Sequence, residues 1–305
     1  MMASQSVACL AGDGVGPELM AEATRALVEV CRMHSVAIDD VHLPFGGEAV
    51  TRFGHPLPPA TRRGYRDVEA ILVSSPHEPA LEGVKADVDP TCLVARVHVR
   101  RGADVLVIGP VGPCAEVTAV ARAFDAAATR RARVTSVGAS PELRVAVDAE
   151  RERRAGIAVE RSTLGEVLVA LADEPRTLDV VVADAPLAAG IADAAAHLSH
   201  TTATMAYGWV SDDGPGVFVP ATCEPDDVAG FGVANPAGML LTAALLLGEG
   251  LGRRSAARTL ERAVGEVVLM NGSAPQGTRA FTDAVIARLN DARTDVDHFE
   301  EVWAA

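Results

Sequence analysis

Residues 8–18 read ACLAGDGVGPE: a short apolar strand that runs into three glycines, two carboxylates and a proline, with a long amphipathic helix after them. A dinucleotide-binding turn needs Gly-x-Gly-x-x-Gly and a helix N-terminus open to pyrophosphate. The glycines here are Gly12, Gly14 and Gly16, Asp13 and Glu18 bring negative charge to the helix start, and the lysine of a P-loop is absent. Pro17 falls at the first helical position, where its missing N–H costs nothing. Taken alone, the stretch reads as a tight turn that serves the chain's own packing.

Outward from that turn the pattern continues as alternating strands and helices. In the first helix Met20, Ala23, Leu27 and Val30 share one face, and Glu22, Arg25, Glu29 and Arg32 share the other. Strand-like runs stand at 7–10, 70–74, 104–109, 133–137, 157–160 and 179–183, and helices fit 115–130, 141–154, 162–173, 186–198, 236–250, 254–269 and 278–291. The strands are uninterrupted and β-branched, which predicts parallel strands covered on both faces. Alternation of this kind predicts an α/β fold, doubly wound or related. At 305 residues the chain is near the size at which one core divides, so two lobes are expected. Only 4% of residues are aromatic against 49% hydrophobic, so those cores are built from small side chains.

Charge excludes one class of partner. A formal charge of −14 argues against a nucleic-acid groove, which needs clustered Lys and Arg. The basic run Arg151–Arg154 is broken by Glu152 and sits on a helix as a solvated face. Cys9, Cys31, Cys92, Cys114 and Cys223 are odd in number and too scattered for zinc, which suits reduced thiols in a cytoplasm. No signal peptide is visible, and the most apolar window, Ala237–Leu247, is too short for a bilayer. The expectation is a cytoplasmic protein with no membrane partner.

GDGVGPE at 12–18, PFGGEAVTRFGHPLPPAT at 44–61, GFGVANPAGMLLTAALLL at 230–247 and GTRAFTDAVIARL at 277–289 resemble, in this order, the β-decarboxylating dehydrogenases: isocitrate, isopropylmalate and tartrate dehydrogenases. Nearly the whole chain can be laid along that family, with a shortened middle. The resemblance implies an isopropylmalate-dehydrogenase-like two-lobed α/β fold, a largely parallel sheet core with helices on both faces. It also implies a homodimer, with residues 1–94 and 200–305 forming the large lobe on the cofactor side and 95–199 a small lobe whose helices build the dimer interface.

The same resemblance implies a chemistry that this sequence does not supply. The family oxidises a 2-hydroxy acid with NAD or NADP and decarboxylates it, using a metal held by aspartates, a lysine proton shuttle, a tyrosine acid and docking arginines. The lysine aligns with Ala139 and a neighbouring asparagine with Pro141, in RVTSVGASPEL. Two metal aspartates align with Gly165 and Ala189, and only the third survives, as Asp193. One carboxylate does not make a magnesium site, so no metal is expected. The tyrosine is deleted in GPVGPCAEV at 109–117, and one docking arginine aligns with Gly109. On the cofactor side Asp227 matches the acid that binds the adenosine ribose and Asn235 an adenine-side residue, whereas the loop along the cofactor reads TCEP at 222–225 and places Glu224 there. No cofactor is therefore expected, NAD being the one that the resemblance would supply.

In SSPHEP at 74–79 two glycines of the family's nicotinamide loop have become His77 and Glu78, an acid–base pair. His98 and Tyr207 complete the candidate catalytic set, and Ser75, Arg96, Arg100 and Cys114 are candidate substrate contacts. The bland alternative makes His77 and Glu78 an exposed loop, Arg96, His98 and Arg100 a solvated strand end, and Tyr207 with Trp209 ordinary packing. Three functions are weighed: a repurposed non-redox enzyme (cyclase, isomerase or lyase) of specialised metabolism acting on a small metabolite; a catalytically silent regulatory subunit or sensor; and a metal-free NAD-dependent dehydrogenase of a hydroxy acid.

Overall fold

A computed structural model describes residues 4–75, 79–99, 103–198, 204–222, 226–271 and 277–291. In chain order the elements are β1 (Gln5–Leu10), α1 (Gly16–Met33), β2 (Ile38–His42), α2 (Gly46–Phe53), α3 (Pro59–Gly64), β3 (Ala70–Val73), α4 (Leu81–Val88), β4 (Cys92–Val99) and β5 (Ala103–Pro110). There follow α5 (Glu116–Ala128), β6 (Arg133–Val137), α6 (Pro141–Arg153), β7 (Ala158–Ser162), α7 (Leu164–Asp173), β8 (Val180–Ala183) and α8 (Ala185–Leu198). The last described elements are β9 (Met205–Val210), β10 (Gly216–Pro220), α9 (Ala237–Leu245), α10 (Arg254–Asn271) and α11 (Thr278–Asp291). Two compact units divide these: one drawn from Met1–Asp89, Ala206–Gly208 and Asp213–Val302, the other from Pro90–Met205 and Trp209–Asp212.

In the first unit the strands run in the order β2-β1-β3-β10, every neighbour parallel. β3 is buried along all four residues, as a strand covered on both faces must be. α1 buries Leu19, Met20, Ala23, Ala26, Leu27, Val30 and Cys31. Its other face is not simply solvated: Glu22 is buried, pairs with Arg25 at 2.5 Å, and Arg25 reaches Asp283 of α11 at 2.5 Å. α9 is buried at all nine positions and passes into a π turn, Leu246–Gly250, so the helix expected over 236–250 changes its winding within one run. Gly250 is required there, because a Cβ would stand 2.7 Å from the Phe218 ring.

In the second unit the order is β4-β5-β8-β6-β7, with β5, β8, β6 and β7 parallel and β4 antiparallel to β5. The residues around Arg96 and His98 form a full strand, β4, in a hairpin with β5. One sequence expectation changes here. The run 157–160, expected to be covered on both faces, becomes β7, an edge strand of this unit that leaves Ala158, Glu160 and Arg161 exposed. Its charged residues fit an edge that must not recruit another strand.

Candidate functional site

In open α/β sheets, ligands lie beyond the carboxyl ends of the parallel strands. In the second unit those ends are Pro110 of β5, Val137 of β6 and Ala183 of β8. Asp184, next after β8, receives the backbone N–H of Ala139 at 2.8 Å and that of Ser140 at 3.2 Å on one carboxylate oxygen. Its own N–H donates to Val137 O, and its carbonyl accepts from Leu187 and Ala188 at the start of α8. Gly138 has φ +148°, and a Cβ there would stand 2.3 Å from the Asp184 carboxylate. Ser140 caps α6 by accepting the Leu143 N–H at 3.1 Å. Ala139 is exposed on this loop, and no other lysine stands in for it nearby in sequence: Lys85, the single lysine of the chain, pairs with Glu82 on α4 at 2.8 Å.

Gly109 is closed from another side. A Cβ at that position would lie 2.4 Å from Ala188 Cβ, so β5 and α8 pack with no room for a side chain. Beyond β5, Cys114 is exposed, with φ +60°. Gly165 and Asp193 are exposed on α7 and α8 and Ala189 is half-buried. The Asp193 carbonyl bonds His197 Nδ1 at 2.8 Å. Among the described residues no group of three His, Cys, Asp or Glu side chains is placed to hold a metal ion, and Gly165 and Ala189, at two of the aligned positions, carry no donor group.

Arg96 and His98 do come together, at the opposite end of the strands. Arg96 binds Asp104 through Nε at 3.0 Å and Nη2 at 2.6 Å. Arg130 joins Asp104 at 2.9 Å and Asp179 at 2.8 Å, and Asp179 also accepts the Arg131 N–H at 2.9 Å. Burial alone would raise the Asp104 carboxyl, but Arg130, Arg96 and the facing His98 hold it well below the usual carboxylate range. Burial drives His98 the other way, down to about 4, with Asp104 pulling against it. Asp104 is the second residue of β5 and Pro110 its last, so this network lies about 20 Å from the carboxyl end of the strand. Both guanidinium edges of this network serve the fold.

In the first unit the opening loop also holds its own backbone. Gly12 and Gly14 take φ +65° and +58°. A Cβ on Gly16 would lie 2.0 Å from Ala11 O. The Asp13 carboxylate accepts the Gly47 N–H at 2.6 Å, so it caps α2 from a distant loop, and Ser74 Oγ donates to Ala11 O. Ser75 is half-buried after β3, and Tyr207 is half-buried in β9. Asp227 is exposed on the 3-10 turn Asp226–Val228, whereas Asn235 Oδ1 accepts the Ala237 N–H at 3.0 Å and thereby caps α9. His77, Glu78, Arg100 and Glu224 lie outside the described residues. Sequence reasoning missed Asp184, Asp104 and Asp179, each an acid at a strand boundary whose only local signal is its place beside an apolar run.

The sequence profile of the isocitrate/isopropylmalate dehydrogenase family matches residues 6–115 and 113–279. The 3-isopropylmalate dehydrogenase of Synechococcus sp. (strain CC9902) is 28% identical over 357 residues, covering 94% of this chain and 100% of the relative. That of Pseudoalteromonas translucida (strain TAC 125) is 27% identical over 352 residues, covering 93% and 98%. These alignments are longer than the chain's own 305 residues, so segments present in the relatives are missing here. Among solved structures, isocitrate dehydrogenase from Methylococcus capsulatus shares the fold with a TM-score of 0.77 at 19% identity, over 93% of this chain and 99% of that one. A β-decarboxylating dehydrogenase from Thermococcus kodakarensis gives 0.78 at 18%, over 96% and 100%. No helix among the described residues is long and apolar enough to cross a membrane. With its profile matched along most of its length, the chain belongs to the isocitrate/isopropylmalate dehydrogenase family.

Proposed function

We propose that this family member has given up metal-assisted oxidative decarboxylation and performs a non-redox step, a cyclisation, isomerisation or elimination, on a small metabolite. One observation carries the reading: the positions that align with the lysine, two metal aspartates and a docking arginine are Ala139, Gly165, Ala189 and Gly109, and the space at Gly109 is filled by Ala188. General acid–base groups each contribute about a hundredfold to ten-thousandfold, and a metal several kcal/mol more. Their joint loss removes the reaction. His77 and Glu78 are the acid–base pair in this reading, and neither a resident cofactor nor a metal is required. Incubation with isocitrate or 3-isopropylmalate, magnesium and NAD tests it: no NADH forms if it is right, and sustained turnover overturns it.

A second reading is a metal-free NAD-dependent dehydrogenase. It draws support from exposed Asp227 and from the names of the two curated relatives given above, both 3-isopropylmalate dehydrogenases. Saturable NADH binding, lost in Asp227→Ala, would favour it; Asn235, turned inward to cap α9, weighs against it. A silent regulatory subunit is the third reading, and co-purification with an active homologue would favour that one. In each case we place the chain in a homodimer, supported by Leu164 and Val169 exposed on α7, where Val169 lines a surface hollow of about 600 Å³. Light scattering of the purified protein checks it, and a monomer mass would refute it.

A further inference from the structure

A thioether is an apolar group with a weak acceptor in its middle, and the fold treats most of its described methionines as core. Met20, Met205 and Met239 are buried, and Met33 is half-buried. Met270, the last residue but one of α10, differs on two counts. It is 66% exposed. Its sulfur also accepts a hydrogen bond from Arg288 of α11, with Nη2 3.0 Å from Sδ. Among the described residues no carboxylate pairs with that guanidinium, so a charged donor faces a weak acceptor on the surface of the first unit.

We propose that Met270 is a site of reversible oxidation by a peroxide, and that Arg288 holds the sulfoxide product. In the step, the sulfur lone pair attacks one oxygen of hydrogen peroxide: an S–O bond forms, the O–O bond breaks, and the second oxygen leaves as water. Sulfur gives up two electrons and the peroxide accepts them. The new oxygen is a far stronger acceptor than the sulfur, and an N–H of Arg288 already points at the place where it forms, so a charge-assisted hydrogen bond replaces the contact to sulfur. Methionine oxidation usually disrupts packing, but an exposed side chain has little packing to lose. The modified residue therefore ties α10 to α11 instead of loosening the fold. A thiol-dependent reductase reverses the step, two thiols becoming a disulfide while the oxygen leaves as water. This site is independent of the reaction that the protein catalyses.

Hydrogen peroxide at graded doses, followed by digestion and peptide mass analysis, reads the site, and Tm before and after reads its consequence. Met270 is expected to reach the sulfoxide at least about fivefold faster than Met20, Met33, Met205 or Met239. Each Tm change is taken relative to Met270→Leu treated alike, which removes the contribution of every other oxidised group. On that scale the wild type should hold its Tm or gain, and Arg288→Ala, still oxidised at Met270, should lose. Oxidation that reaches any of the other four methionines first, or an equal Tm response in wild type and Arg288→Ala, overturns the proposal.

Discussion

His98 lies directly across the β4–β5 ladder from Asp104, and burial keeps its imidazole neutral down to about pH 4 although the carboxylate facing it favours the cation. Arg96 and Arg130 on the same acid work with burial against protonation. The unfolded chain takes up this proton near pH 6.5 and the folded chain near 4, so the unfolded state binds more protons in between. Stability is therefore full above pH 6.5 and falls by about 3 kcal/mol as pH drops through that window. Below it the Asp104 carboxyl, held low in the fold, adds a further loss. Urea midpoints measured from pH 7.5 to 4 should decline, and His98→Leu should flatten the slope. An unchanged slope in that variant would refute the assignment.

Asp179 is buried, bonded to Arg130 and to the Arg131 backbone, and its removal leaves Arg130 with only Asp104 as a partner. Breaking a buried pair from one side costs about 3–5 kcal/mol. Asp179→Ala should lower the chemical-denaturation midpoint accordingly, and far more than Asp148→Ala, whose pair with Arg161 is half exposed on both sides. Equal effects of the two substitutions would count against a fold-bearing role for the network.

Much of this architecture is legible in the sequence, for reasons that individual residues make plain. The largely apolar runs of β1, β3, β5, β6 and β8 announce themselves because a strand covered on both faces carries few polar side chains. β2 reads IDDVH and is half exposed, so nothing in its composition separates it from a loop. β4 was hidden by Arg96 and His98, whose polarity is neutralised only by Asp104 and Arg130, residues distant in sequence or placed across a hairpin. Glu22 looked solvated for the same reason: its partner Arg25 is drawn toward Asp283, over 250 residues away. Asp227, Asn235 and Ala139 were found by family resemblance, not by pattern. The fate of Asn235 as a helix cap, and of Asp184 as an internal anion, depends on backbone N–H directions that no side-chain periodicity encodes.

Gly109 and Ala188 test how tightly β5 and α8 are joined. With a Cβ 2.4 Å from Ala188 Cβ, Gly109→Ala must push the helix away or strain the strand, at a cost of about 1–3 kcal/mol. Thermal denaturation should show a clear drop in Tm. The exposed Gly156→Ala has open space around it and serves as the control. A Gly109→Ala protein as stable as the control would show that this contact is slack.

The most demanding prediction concerns repair. If the ancestral chemistry was lost through several residues acting together, restoring one of them restores nothing. Ala139→Lys places an ammonium group beside Asp184, the nearest carboxylate to its backbone, where the two charges will pair instead of serving a substrate. It should show no NADH formation with isocitrate or 3-isopropylmalate, and magnesium or manganese should leave the Tm of both wild type and variant where EDTA leaves it. Adding Gly165→Asp and Ala189→Asp supplies an acid on α7 and one on α8 four residues before Asp193, and only in that triple variant is a metal-dependent rise in Tm expected. A manganese-dependent rise in the unaltered protein would mean that an ion is held by residues other than those aligned here, and the loss of metal chemistry would have to be abandoned.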